Sequence, residues 1–224
     1  ATRYFDFALQ KKEDSLFDEF SLDELRVACV LLAAKYDEHE APPPRVLRTA
    51  SNERLDAFRL RDAEAKVAEV LGWRLGVVTS LVALDLASDL IVASPDMVRG
   101  APLQRSPKAS KFVASYARFF CNMALQANRF QTVAPTLLCS AVIRATRELL
   151  NVAPAWPPRL SRFTGYSDGE LSRLARDLLS YYRREFPEHH ASVRSFAASP
   201  KSVLDVARTE LQSPIQQLDL DRDA

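Results

Sequence analysis

A block of apolar residues, Val27–Ala34, is the most prominent feature of the hydrophobic pattern along this chain. It contains eight consecutive residues without a polar side chain, and the stretch around it begins with Ser21 and Glu24 at the spacing of a helical capping box. A helix that is apolar on every side must be buried among other helices. The run is also shorter than the roughly 20 apolar residues that cross a bilayer. We therefore predict the central helix of a helical bundle over 21–36, with Lys35 reaching the surface near its end.

Helical periodicity, together with proline and glycine positions, divides most of the remaining chain into further helices. Pro42–Pro44 stop the central helix, and Gly72 is placed to end a later one. Residues 94–107 hold three prolines and are predicted to form a loop. The other predicted helices cover residues 2–10, 45–50, 55–71, 79–91, 108–128, 133–151, 158–164, 168–186 and 188–197.

The two halves of the chain share one pattern. Pro43–Val46 (PPRV) returns 114 residues later as Pro157–Leu160 (PPRL), and in each half an apolar helix precedes the prolines and an amphipathic helix follows. Solenoid repeats have periods of roughly 20 to 50 residues, so this longer spacing indicates two similar domains in tandem. We predict domains at residues 1–76 and 77–187, followed by a C-terminal helix and tail at 188–224.

Composition narrows the class of protein. Of 224 residues, 47% are hydrophobic and 26% charged, and only five are glycine, which is typical of a globular helical protein. The net charge is +1 without a basic block, so nucleic-acid binding is not expected. Neither a signal peptide nor a membrane span is visible. The odd number of cysteines favours reduced core thiols in an intracellular protein; they are Cys29, Cys121 and Cys139.

The sequence gives no sign of catalytic chemistry. It contains neither a Gly-x-Gly-x-x-Gly motif nor a Walker phosphate-binding loop. His39, His189 and His190 lack metal-ligand spacing to any cysteine. We therefore expect a protein that is not an enzyme and needs neither a cofactor nor a metal.

Several motifs together are similar to those of the cyclin family. Leu31–Glu38 (LLAAKYDE) resembles the central cyclin-box motif, and Ala63-Glu64 with Val70–Leu75 (VLGWRL) looks like the fifth helix of that box and its exit. In the second half, Trp156-Pro157 and Thr164–Tyr166 (TGY) resemble the C-terminal cyclin fold of A- and B-type cyclins. The resemblance covers about residues 2–205. It implies an all-α protein of two tandem cyclin-box folds, each a five-helix bundle around a buried central helix, with the first box lacking its first helix in this sequence.

The function that this resemblance implies is regulatory. Cyclins bind a cyclin-dependent kinase as a heterodimer and move its regulatory helix, so that the kinase can form the Lys–Glu pair that phosphoryl transfer requires and can open its activation segment. On this basis we expect a kinase activator in cell-cycle control, located in the nucleus and cytoplasm.

The resemblance also assigns residues to a kinase-binding surface. Lys35 and Glu64, 29 residues apart, match the charged pair of the family's kinase interface. Ala65 and Ala68 are smaller than the family's usual side chains, which reduces the expected contact there. Two other readings stay open: the charged pair could be ordinary surface charge, and Trp73 could fill the core. The complete predicted surface consists of Leu32, Lys35, Tyr36, Glu64, Ala65, Ala68, Trp73 and Leu75.

A second surface of the family docks substrates and inhibitors that carry an Arg-x-Leu motif. Leu22 matches its contribution from the central helix, and Arg26 stands where many A- and B-type cyclins have glycine. Ser-Pro dipeptides are minimal proline-directed phosphorylation sites as well as ordinary loop and helix-start signals; they begin at Ser94, Ser106, Ser199 and Ser213.

Two alternative functions also fit tandem cyclin folds. One is a transcription factor that grips promoter DNA, and the other is a pocket-type scaffold that binds short peptides. DNA binding would call for a basic surface, whereas acidic Asp85 and Asp89 are expected near the connection between the repeats. Steep salt dependence of binding would indicate DNA, and salt tolerance would indicate an apolar protein interface.

Overall fold

The computed structural model describes residues 1–13, 17–38, 40, 42–43, 46, 55–98, 101–102 and 107–190. The chain divides into two compact units, and the division falls between Val77 and Val78. Helices dominate both units, as the all-α prediction requires. No helix among the described residues is long and apolar enough to cross a membrane.

Unit 1 is built around the predicted central helix. Its helices are α1 (Thr2–Glu13), α2 (Leu22–Asp37) and α3 (Ala57–Val70). Apolar residues of α2 are buried against α1 and α3, whereas Val30 is 39% exposed, so that α2 is buried on most sides but not on all. The core of the unit contains Tyr4, Ala8, Leu25, Ala28, Cys29, Leu31, Leu60, Ala63 and Val67.

Local sequence signals determine where α2 begins and where α3 ends. The Ser21 hydroxyl accepts the Glu24 amide, and the Glu24 carboxylate accepts the Ser21 amide at 2.8 Å, which confirms the capping box. Gly72 ends α3 in the left-handed conformation at φ 60°, as predicted. Its amide donates to Glu69 and the next amide, of Trp73, donates to Ala68, which is the hydrogen-bond pattern of a Schellman motif.

Unit 2 is built around a second central helix. Its helices are α4 (Ser80–Ile91), α5 (Pro107–Gln126), α6 (Asn128–Gln131), α7 (Pro135–Leu149), α8 (Pro158–Thr164) and α9 (Asp168–Glu185), and residues 187–190 are helical as well. Helix α7 packs against α4, α5 and α9, and it is buried along most of its length, so that it is the counterpart of α2. Ser167 and Glu170 form a second capping box at the start of α9.

The structure corrects the sequence prediction in two places. Residues 94–107, predicted as a loop, include β1 (Met97–Val98) and β2 (Ala101–Pro102), which pair antiparallel; β1 also pairs with β3 (Val152–Ala153). Strands of two residues are too short to produce an alternating pattern in the sequence. The helix predicted over 108–128 is interrupted at Ala127, and α6 begins at the next residue, Asn128. The predicted helix at 45–50 and the segment beyond 190 lie outside the described residues, apart from Val46.

A buried ion cluster joins the elements at one end of unit 2. Asp96 is 1% exposed and its carboxylate accepts Arg147 Nη1 at 2.8 Å and Arg159 Nη1 and Nη2 at 2.8 and 2.6 Å. The fully buried Arg147 also donates to the carbonyl oxygens of Pro154 and Ile91. Burial alone would raise the pKa of Asp96, but the arginine hydrogen bonds hold it below its ordinary value. The cluster thereby links α4, α7, α8 and the turn before β1.

Candidate functional site

The predicted charged pair is formed on the surface of unit 1. Lys35 lies in the last turn of α2 and Glu64 in the middle of α3, and the Lys35 Nζ is 2.6 Å from Oε1 and 2.7 Å from Oε2 of Glu64. The Lys35 side chain is 52% exposed and that of Glu64 is 13% exposed. An ion pair at such exposure contributes about 0–1 kcal/mol to stability. The pair therefore orients two charges at the surface more than it stabilises the fold.

Tyr36, next to the pair, lies against the segment that leaves α3. Its ring is 56% exposed, and its Oη is 2.9 Å from the point that a Cβ on Gly76 would occupy. The absence of a side chain at residue 76 therefore permits this close approach. The Tyr4 hydroxyl donates to the backbone oxygen of Leu75 in the same segment. Tyrosines from two different helices thus contact residues 75–76, and Tyr4 fixes the segment through a hydrogen bond.

Trp73 occupies an unusual backbone position at the start of this exit segment. Its φ of 59° lies in the left-handed region, which is unfavourable for a bulky residue, and its side chain is 71% exposed. The reading of Trp73 as a core residue is therefore wrong. Residues held in sparsely populated backbone conformations cluster at functional sites, so this exposed aromatic side chain is a candidate contact residue.

The remaining predicted contact residues are divided between surface and core. Ala65 is exposed on α3, and Leu75 is half-buried against the core. Leu32 is 6% exposed and Ala68 only 1%, so that both side chains pack mainly into the core of unit 1. Their assignment to the kinase-binding surface stays a prediction.

The predicted docking position at the start of α2 is exposed. Leu22 is 45% exposed, and Arg26, one turn later, donates to Asp23 at 2.9 Å. The Arg26 guanidinium also lies 5.6 Å from the Phe5 ring centroid. Both partners hold the Arg26 side chain against α1 and the first turn of α2, so it borders the Leu22 surface.

A second ionic link between α2 and α3 was not predicted. Arg59 Nε and Nη2 donate to the two carboxylate oxygens of Glu24 at 2.6 and 3.0 Å, and Arg59 lies 5.8 Å from the Phe20 ring centroid. These hydrogen bonds hold the pKa of Glu24 below its usual value. Glu24 carried a sequence signal as a capping residue, but nothing in the sequence singled out Arg59 as its partner.

Other chemically interesting side chains form no site of their own. Within the described ranges no three His, Cys, Asp or Glu side chains are grouped closely enough to hold a metal ion. All three cysteines are buried and reduced, and burial raises the pKa of Cys29 and Cys121 to about 12. Ser94 is exposed, whereas Ser106, Ser199, Ser213 and His39 lie outside the described residues. His189 Nδ1 is hydrogen-bonded to the Tyr182 hydroxyl at 2.5 Å.

Comparison with known proteins gives consistent matches along the chain. Residues 1–76 match the cyclin N-terminal domain and residues 103–211 match the cyclin C-terminal domain. The chain is 28% identical to cyclin-J of Xenopus laevis, over 66% of this chain and 41% of that protein. It is 26% identical to cyclin-J of Homo sapiens, over 87% of this chain and 52% of that protein. It is also 23% identical to cyclin-B1-5 of Oryza sativa subsp. japonica, over 81% of this chain and 34% of that protein.

The chain thus spans about half the length, or less, of these curated relatives. The two domain matches nevertheless occur in the order that the tandem helical units predict. The chain has two successive helical units, each around a buried central helix, and both matched domains come from one family. This chain therefore belongs to the cyclin family.

Proposed function

We propose that this chain is a regulatory subunit that binds and activates a cyclin-dependent protein kinase. The observation that carries the proposal is the surface pair of Lys35 and Glu64, set beside exposed Tyr36 and Trp73 in a member of the cyclin family. The names of the related cyclins do not mention a kinase. Family membership, together with this surface, supports a kinase as the partner.

The geometry of the pair suits recognition of a helix end or a loop backbone. The Lys35 ammonium has three N–H donors, and its half-exposed position leaves room for a partner oxygen beside the two of Glu64. The Glu64 carboxylate is shielded from water and keeps the ammonium in one position. Exposed Tyr36 and Trp73 add aromatic area, and aromatic residues dominate the binding energy of many interfaces.

Activation then requires only a difference in affinity between two kinase conformations. A protein that binds the active arrangement of the kinase regulatory helix more tightly shifts the kinase toward it. To change the ratio of active to inactive kinase from 1:99 to 99:1, the difference in binding free energy between the two conformations must be about 5.5 kcal/mol. A broad helical surface can supply this without any catalytic group of its own.

The test is activation of a panel of cyclin-dependent kinases by wild-type protein and by Lys35→Glu and Glu64→Lys. The double variant Lys35→Glu/Glu64→Lys restores the internal ion pair with reversed orientation, so it separates loss of the pair from loss of the partner contact. Lys66→Glu is the matched control, because Lys66 pairs with Glu69 at 3.4 Å on the same helix.

We expect wild type and Lys66→Glu to activate one kinase, and the three variants at Lys35 and Glu64 to lose at least tenfold in affinity for it. Circular dichroism should be the same for all five proteins. Wild-type protein that activates no kinase would exclude this function, and charge reversals that leave activation unchanged would remove the Lys35–Glu64 pair from the contact surface. A salt titration with DNA and with peptides would then be the next measurement.

A further inference from the structure

Phe58 is the most exposed large hydrophobic side chain among the described residues. It lies in the first turn of α3 and is 78% exposed. It belongs to neither hydrophobic core, although its neighbours along the helix, Leu60 and Ala63, are fully buried in the core of unit 1. Packing among the described residues therefore does not explain a phenylalanine at residue 58.

The helical register aligns Phe58 with a predicted contact residue. Ala65 follows seven residues later, which is a rotation of within about 20° and a rise of about 10 Å along the helix. Core residue Val67 projects from the opposite side, so that Phe58 and Ala65 share the solvent face of α3. Glu64, with its bound Lys35, borders this face next to Ala65.

The neighbouring charges leave the Phe58 ring uncovered. Arg59, the adjacent cation, is turned toward Glu24 and Phe20, with its Nε 2.6 Å from the Glu24 carboxylate. The small methyl group of Ala65 forms a low part of the face, so that a partner can approach the α3 backbone closely there. A partner lying on this face would meet an aromatic ring at one end and the Lys35–Glu64 pair on its border.

We propose that Phe58 is an additional anchor for the kinase partner, inserting against an aliphatic patch on the kinase and contributing to the choice among kinases. The proposal rests on the proposed function, because its occupant is the protein seated on the Lys35–Glu64 pair. Continuity carries it: Phe58 and Ala65 share one face of α3, and the Lys35–Glu64 pair borders that face next to Ala65. The contact area that the alanine side chain lacks is supplied by the phenylalanine two turns away.

The experiment measures the affinity of the activated kinase for wild type, Phe58→Ala and Phe58→Leu by biolayer interferometry. Phe163→Ala is the matched control, because Phe163 is also exposed, at 52%, and lies on α8 in unit 2. Phe58 buries little area, so the thermal midpoint of Phe58→Ala should stay within about 1 °C of wild type. Lys35→Glu is included as the marker of the proposed function.

We expect Phe58→Ala to lose about tenfold to hundredfold in affinity and Phe58→Leu to lose less, because leucine retains most of the apolar contact. Phe163→Ala should bind as wild type does. If Lys35→Glu weakens binding while Phe58→Ala stays within twofold of wild type, the anchor is disproved and the proposed function stands. If wild-type protein binds no kinase in the panel, both proposals are wrong.

Discussion

Trp73 offers a test in which stability and binding change in opposite directions. The residue adopts φ 59° at the end of α3, a conformation in which a Cβ atom is unfavourable, and it exposes 71% of its side chain. Replacing it by glycine removes this conflict, whereas replacing it by alanine keeps the Cβ atom and the conflict. Both substitutions remove the indole ring, so that the comparison between them isolates the backbone term.

The magnitude follows from the left-handed conformation. That conformation costs a non-glycine residue about 1–2 kcal/mol, and the greater freedom of glycine in the unfolded chain offsets part of the gain. We expect Trp73→Gly to be about 1 kcal/mol more stable than Trp73→Ala, which is about 4–8 °C in thermal midpoint for a unit of this size. Both variants should bind the kinase at least tenfold more weakly than wild type.

Urea unfolding followed by far-ultraviolet circular dichroism measures the stability difference, and an interferometry assay measures binding. Asn151→Gly is the matched control, since Asn151 also has a positive φ, of 55°, but asparagine tolerates this region. Asn151→Gly should raise the free energy of unfolding by only a few tenths of a kcal/mol. Equal stability of Trp73→Gly and Trp73→Ala would refute the strain at this position, and full kinase affinity in either variant would remove Trp73 from the contact surface.

Three further predictions concern the interior of the protein. Asp96→Asn should destabilise unit 2 by about 3–5 kcal/mol, because Arg147 would keep a buried charge without a carboxylate. The control, Asp85→Asn at the exposed pair with Arg118, should cost at most about 1 kcal/mol. Urea unfolding followed by the fluorescence of buried Trp156 distinguishes the two variants. Burial and the neighbouring His190 lower the pKa of His189, so its neutral form is favoured in the folded protein. The stability that depends on neutral His189 is therefore fully present above about pH 6.5 and is lost as the pH falls below that value. The thermal midpoint should therefore drop more between pH 7.5 and pH 5 in wild type than in His189→Gln, and equal drops would contradict this reasoning. The thiols of Cys29, Cys121 and Cys139 should react with a disulfide reagent only after unfolding, because all three are buried. A colorimetric time course with and without urea measures this reaction. Rapid labelling of the folded protein would show that burial does not protect the thiols.

The sequence by itself determined the parts that depend on neighbouring residues. Ser21 and Glu24 cap α2, and Gly72 ends α3, because each effect acts within a few residues of chain. The apolar block at 27–34 predicted a central helix, and most of that helix is buried, although Val30 is 39% exposed. Likewise, the order and spacing of short motifs were enough to identify the family and to pair Lys35 with Glu64. That pair forms in the structure as predicted.

The tertiary structure decided which side chains reach the surface and which distant groups meet. Leu32 and Ala68 are almost completely buried, whereas Trp73 and Phe58 are among the most exposed apolar side chains of the described residues. Asp96, Arg147 and Arg159 are far apart in sequence and form one buried cluster. Helix periodicity indicates that a residue faces a neighbour, but burial and ion pairing depend on where the other elements pack, and that arrangement is a property of the folded unit as a whole.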